Sequence, residues 1–204
     1  MNGPTGPRPP LVMASRNPGK LAEFRRLLAP YTVELLDLDA AGVTVPLTEP
    51  GPGYVENAAA KAIAVSAASG LWALGDDSGI EVTALDGWPG PASARWRSGS
   101  DADRLHGLLA EVARRSPADR RARYVAALAL ARPGSSDPVI AMGSCNGVLV
   151  DPCGTGGFGY DPAFLSDELG RTFGEVSAAE KDTVSHRARA VARMAAGSAF
   201  SQTR

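Results

Sequence analysis

The 204-residue chain is poor in the features that mark several large protein classes. It has two cysteines, Cys145 and Cys153. They form no C-x-x-C pair and have no histidine beside them, which argues against a zinc ribbon or a disulfide framework. Two free thiols in a reducing cytoplasm are expected instead. Positive charge is not in excess: 21 Lys and Arg stand against 22 Asp and Glu, a formal net charge of −1. Nothing in that balance grips a phosphate backbone, so nucleic acid is not an expected partner. No apolar run approaches the roughly 20 residues that a membrane helix needs, and no membrane contact is expected. The first ten residues are rich in Gly and Pro, carry one charged side chain at Arg8 and lack the apolar stretch of a signal peptide. Residues 1–10 read as a disordered tail and residues 11–200 as a single domain.

What is present is ordinary for a globular chain: 44% hydrophobic and 21% charged residues. Residues 11–14 are a short apolar run, expected as a buried strand. Asn17 is a good helix N-cap and Pro18 suits the first turn. Leu21, Phe24, Leu27 and Leu28 then recur at helical spacing. A second strand is expected at 33–38, a Pro/Gly loop at 40–53 and an Ala-rich helix at 56–68, ended by Gly70. Residues 71–75 read as a strand running into Asp76-Asp77-Ser78-Gly79, where the Ser-Gly pair predicts a turn. After a loop at 86–100 comes an amphipathic helix at 101–115. Strands at 123–131 and 139–150 flank a Pro133-Gly134 turn. A Gly-rich stretch covers 151–162, and a last helix 185–196. Early alternation of strands and helices followed by a hairpin predicts an α/β fold with a mixed sheet.

Five stretches could carry chemistry. In Ser15-Arg16-Asn17-Pro18-Gly19-Lys20 a strand passes through a polar turn into a helix, which leaves backbone N–H groups free for an anion, with Lys20 adding charge. In Asp76-Asp77-Ser78-Gly79 two adjacent carboxylates repel each other. A turn there would bring both to one cleft, where a divalent cation could relieve the repulsion, and Glu49 in the upstream loop could add an oxygen. Asn57 and Lys61 share a helix face at i, i+4, with Glu56 about 140° away from Lys61. The loop from Gly154 to Pro162 sets Phe158 and Tyr160 among glycines that let a ligand come close, with Asp161 as an acceptor. Finally, Lys181 precedes Ser185, an expected N-cap that would put His186 and Arg187 in a first helical turn, where positive charge opposes the helix dipole.

Together these pieces resemble the inosine triphosphate pyrophosphatase family, also called dITP/XTP pyrophosphatases. The matching pieces are Ser15 to Lys20, Glu56-Asn57-Ala58 with Lys61, Asp76-Asp77-Ser78-Gly79, and Pro89-Gly90 with Ser93-Ala94-Arg95. Gly157-Phe158-Gly159-Tyr160-Asp161-Pro162 and Glu180-Lys181 with Ser185-His186-Arg187 complete them. They occur in the family's order and span residues 11 to about 197.

The resemblance implies an elongated mixed β-sheet with flanking helices, two lobes around a central cleft, and a homodimer. It implies hydrolysis between the α and β phosphates of ITP, dITP and XTP, small nucleotide substrates, with Mg²⁺. Carried over by position, Asp77 is the general base and a metal ligand, and Glu49 and Asp76 complete the metal site. Ser15, Arg16, Asn17, Pro18, Gly19, Lys20, Lys61 and Ser78 hold triphosphate and sugar. Phe158, Gly159, Tyr160, Asp161, Lys181, His186 and Arg187 hold the base, with donors of His186 or Arg187 set against the 6-oxo acceptor. Three positions depart from the family's pattern: Gly53-Tyr54 for Thr-Phe, Cys153 for Arg, and Trp96 for Tyr or Phe. A related pyrophosphatase for modified or pyrimidine nucleotides would keep the acids and change the base pocket. A non-catalytic nucleotide-binding regulator would have no need of Asp77, and the intact acidic set argues against it.

Overall fold

A computed structural model describes residues 10–31, 33–197 and 200. The tail expected at 1–10 lies outside the described residues except for Pro10, which opens the first strand. The chain runs β1 (Pro10–Met13), α1 (Pro18–Leu28), β2 (Glu34–Leu36), α2 (Tyr54–Ser69) and β3 (Trp72–Val82). It continues through α3 (Asp101–Arg115), β4 (Arg121–Ala131), β5 (Val139–Leu149), β6 (Phe164–Ser166), α4 (Ala178–Val184) and α5 (His186–Ala196). The six strands form one sheet in the order β2-β1-β3-β4-β5-β6. β1 is parallel to β2 and to β3, and the remaining pairs are antiparallel.

The caps follow from the residues named in the sequence. Asn17 accepts from the Lys20 N–H at the start of α1, and Gly70 ends α2 with φ 70°. Alternation along β3 and β4 sorts the core. Leu74, Leu128 and Leu130 face α1 and α5, against Phe24, Leu28 and Val191. Ala127, Ala129 and Ala131 face α2, against Ala58 and Ala62. A further cluster builds the other lobe from Ile80, Val82, Leu108, Val112, Phe164 and Phe173. Apolar packing is thus dense at both ends of β3 and gives way to polar side chains between them.

The turn expected at Asp76-Asp77-Ser78-Gly79 does not form. β3 runs unbroken through these residues, each paired with β4 from Leu128 to Val125. Side chains on a strand alternate, so the two acids point to opposite faces. β1 pairs with β3 only as far as Leu74. The chain returns to that edge at Ser93, whose hydroxyl accepts from the Ile80 N–H, and at Pro89, which bridges Glu81. Between these points Asp76 to Ser78 has no strand on its β1 side among the described residues. That open edge, beyond the carboxyl end of β1 where the chain leaves in opposite directions to β2 and β3, is where α/β sheets place ligands.

Candidate active site

On the α2 face, Asp77 is buried. Its Oδ2 accepts from Asn57 Nδ2 at 3.1 Å and its Oδ1 lies 3.2 Å from Lys61 Nζ. Lys61 Nζ also lies 2.9 Å from Glu49 Oε1, and Arg95 closes on the other Glu49 oxygen. Two carboxylates therefore converge on one cationic nitrogen. Burial pushes the Asp77 carboxyl above the usual carboxylate range, and the Glu49 charge adds to this against the pull of Lys61 and Asn57. Glu49 is also raised by burial, but Lys61 and Arg95 outweigh it and hold the group low.

On the opposite face, Asp76 lies 2.7 Å from Lys20 Nζ and 3.4 Å from Arg187 Nε, and accepts from the Ser78 hydroxyl at 3.1 Å. Burial raises this acid, yet the two cations win and hold it far below the usual range. Arg187 donates to Ser78 Oγ at 2.6 Å and to Glu23 Oε2 at 2.8 Å. Its neighbour His186 stacks on Tyr124, with ring centroids 4.7 Å apart, and its Nδ1 is buried without a partner. Burial and the Arg187 and Lys181 charges push its pKa well below 6.5, so it is neutral at pH 7. The dipole conflict expected at the start of α5 is thus removed, because one residue is uncharged and the other is ion-paired.

The Gly-rich loop is pinned from inside by Asp161. Its carboxylate accepts from the Phe158 N–H at 2.9 Å, Lys181 Nζ at 2.6 Å and the Tyr124 hydroxyl at 3.2 Å. Phe158 lies beside Gly19, where any Cβ would strike its ring, with Lys181 5.1 Å and Arg187 5.3 Å from the ring centre. Asn17, Lys20, Ser78, Tyr124, Phe158 and His186 are among the residues around a pocket of about 90 Å³. A wider open groove of about 730 Å³ lies elsewhere, around Glu81, Arg121, Arg123 and Asn146. Arg123 and Glu81 are satisfied by each other there, at 2.6 Å, so the smaller pocket is the better candidate.

A model of the Ham1 family matches residues 11–197. The chain belongs to the Ham1 family. It is 49% identical over 185 residues to the dITP/XTP pyrophosphatase of Symbiobacterium thermophilum, covering 90% of this chain and 91% of that protein. It is 47% identical over 190 residues to that of Mycolicibacterium paratuberculosis, covering 89% and 92%. Among solved structures, a HAM1 protein from Coxiella burnetii superposes with a TM-score of 0.82 at 34% identity, covering 92% of this chain and 96% of that one. A nucleoside-triphosphatase / dITP/XTP pyrophosphatase from Mycobacterium abscessus gives 0.71 at 40% identity, covering 91% and 98%.

In this Ham1 chain several expected site residues sit differently from the reading of the sequence. Of the three acids expected at a metal site, Glu49 and Asp77 lie together at Lys61, and among the described residues no group of three His, Cys, Asp or Glu side chains is placed to hold a metal ion. Asp76 faces away from Asp77 and is occupied by Lys20 and Arg187. Lys61, expected to face phosphates, lies buried between the two acids. Lys181 lies beneath Phe158, tied to Asp161, and Asp161 has both oxygens engaged inside the protein. Arg16 is exposed and 3.9 Å from Asp39. Ser15 accepts from the Asn17 N–H, and Pro18 opens α1. Gly159 and Tyr160 border the pocket. Sequence reasoning missed Glu23, Asp101, Arg104 and Tyr124. Glu23 is 1% exposed on α1 but lies about 100° around the helix from Phe24, outside the stripe of Leu21, Phe24 and Leu28, so helical spacing gave no sign of its burial. Tyr124 had no signal beyond its strand alternation.

Proposed function

We propose that this Ham1-family chain hydrolyses the non-standard purine nucleoside triphosphates ITP, dITP and XTP to the nucleoside monophosphate and pyrophosphate. The observation that carries the reading is the convergence of Glu49 and Asp77 on one cationic nitrogen at the open edge of β3, beside a pocket with an unpartnered imidazole nitrogen. Two carboxylate oxygens already gathered around a positive charge are a donor set suited to a hard divalent cation, and Mg²⁺ fits them. Glu49 and Asp77 would hold it. Bound there, it would neutralise charge on the triphosphate and lower the pKa of water.

The chain's own groups do the rest. Asp77, raised by burial, is a stronger base than an exposed carboxylate, and would orient the attacking water and take its proton. Lys20, Lys61 and the N-terminal end of α1 would balance phosphate charge, with Arg16, Pro18 and Gly19 shaping that turn. Ser78 would meet the sugar and phosphate side. Phe158 offers a flat face for the base, worth on the order of 1–3 kcal/mol by stacking. Asp76, Asp161 and Lys181 hold Arg187, Lys20 and the loop of Gly159 and Tyr160 in place. Donors of His186 and Arg187 would pair with the 6-oxo group, whereas adenine offers an amino group there. An unmatched buried polar group costs about 1–3 kcal/mol, so the site favours ITP and XTP over ATP.

The test is turnover of ITP, XTP, dITP, UTP, ATP and GTP with Mg²⁺, with and without EDTA. Pyrophosphate release from the first three, lost in EDTA, is expected. Equal kcat/KM for ITP and ATP would sink the base assignment, and release of single phosphates would sink the cleavage position. The family resemblance also supports a homodimer, and the two free thiols suit a cytoplasmic setting.

A further inference from the structure

The Gly-rich loop is held from outside by a second set of ties, all from one stretch of chain between residues 93 and 104. Asp101, the first residue of α3, accepts from the Gly159 N–H at 3.0 Å. Its other oxygen lies 2.6 Å from Arg104, which also donates to the Gly99 carbonyl at 2.7 Å, so the acid is fixed on its own helix. Trp96 Nε1 donates to the Tyr160 hydroxyl at 2.7 Å, and that hydroxyl donates to the Ser93 carbonyl at 2.7 Å. Trp88 braces Trp96 edge-on, with ring centroids 4.6 Å apart. Two consecutive loop residues, Gly159 and Tyr160, are thus tied to Ser93, Trp96 and Asp101, in a segment whose link to the acid cluster is Arg95 on Glu49.

The loop borders the pocket beneath through Phe158, Gly159 and Tyr160. Admitting a purine by lifting the loop would break both ties, and closing it over the bound base would re-form them. The Asp101 side chain is 52% exposed, so water replaces its partner readily, whereas the Tyr160 ring and hydroxyl are buried.

We propose that Trp96 and Asp101 are positioning residues that latch the glycine-rich loop over the base side of the pocket, setting how tightly the base is held without touching the phosphate side. This rests on reading the pocket as a purine site. Trp96 acts through the loop, Asp101 also borders the pocket, and neither belongs to the acid pair or the phosphate turn.

The experiment is calorimetric binding of two probes, IMP and inorganic tripolyphosphate, to the full chain and to Trp96→Phe, Asp101→Ala and Asp101→Asn. Trp96→Phe keeps a ring and loses the N–H, Asp101→Ala removes an exposed acceptor, and Asp101→Asn keeps an acceptor. Loss of one hydrogen bond should weaken IMP binding about three- to tenfold in Trp96→Phe and Asp101→Ala, with Asp101→Asn within about twofold of the parent. Tripolyphosphate affinity should be the same in all four proteins. Unchanged IMP affinity in both weakened variants would overturn the latch, as would a parallel loss of tripolyphosphate binding, which marks general loosening. A parent protein that binds tripolyphosphate but not IMP would overturn the purine reading and the latch with it.

Discussion

Asp76 and Asp77 are neighbours in the chain, but their carboxylates meet different cations on opposite faces of β3. Their substitutions should separate accordingly. Asp77→Asn keeps the shape and loses charge and basicity, so kcat for ITP should fall roughly 10²- to 10⁴-fold. Folding pushes this acid toward its protonated form, and Lys61 keeps Glu49 as a partner, so the melting temperature should hold or rise. Near-parental turnover would remove Asp77 as base, and a collapsed melt would make it a structural acid. Asp76→Asn should do the reverse to stability. It leaves Lys20 and Arg187 facing a neutral amide in a buried site, and breaking such a pair costs about 3–5 kcal/mol. A thermal melt of the two variants side by side reads the contrast. His186 supplies a pH test. Its folded pKa lies below its unfolded value, so its contribution to stability is full above about pH 6.5 and is lost as pH falls below it. His186→Gln should therefore lose less melting temperature than the parent between pH 7 and pH 5. An equal loss in both proteins would show that the imidazole takes up its proton while the chain is folded.

At the scale of elements, the site depends on α2 lying close against β3. A Cβ on Gly75 would run into the Ala58 carbonyl oxygen and crowd the Ala62 methyl, so only glycine allows the approach. Gly75→Ala should force α2 outward, carrying Asn57 and Lys61 away from Asp77. Overpacking of this kind costs about 1–3 kcal/mol, and turnover should fall together with the melting temperature. Full activity in that variant would show that the helix position does not set the acid pair. The same scale explains what was legible. The caps Asn17 and Gly70, the Ala-rich helix and the β4–β5 hairpin could be read directly, because each has a local chemical signature. The unbroken β3 could not. Asp-Asp-Ser-Gly has poor strand propensity and good turn chemistry, and only pairing with β4 together with two ion-pair networks keeps it extended. β6 and α4, with 3 and 7 residues, are too short to show a period.

For the whole molecule, the sheet joins apolar packing at the two ends of β3 with a polar break between them, and the proposed reaction takes place at that break. The homodimer rests on family likeness, since nothing in net charge or core content demands a second chain. Light scattering at micromolar concentration should give twice the 21.0 kDa chain mass, and a mass of one chain would refute the dimer.

The membership of the family was determined by the sequence alone, because the residues that carry it come in short runs whose order survives without coordinates. Tertiary structure alone decided how they are shared out. It set Asp76 and Asp77 on opposite faces, placed Lys61 between two acids, recruited Glu23 to hold Arg187, and tied Trp96 and Asp101 to a loop more than fifty residues away. The physical reason is that a strand fixes only which residues alternate, while the charge or hydrogen bond each one meets is supplied by elements distant in the chain.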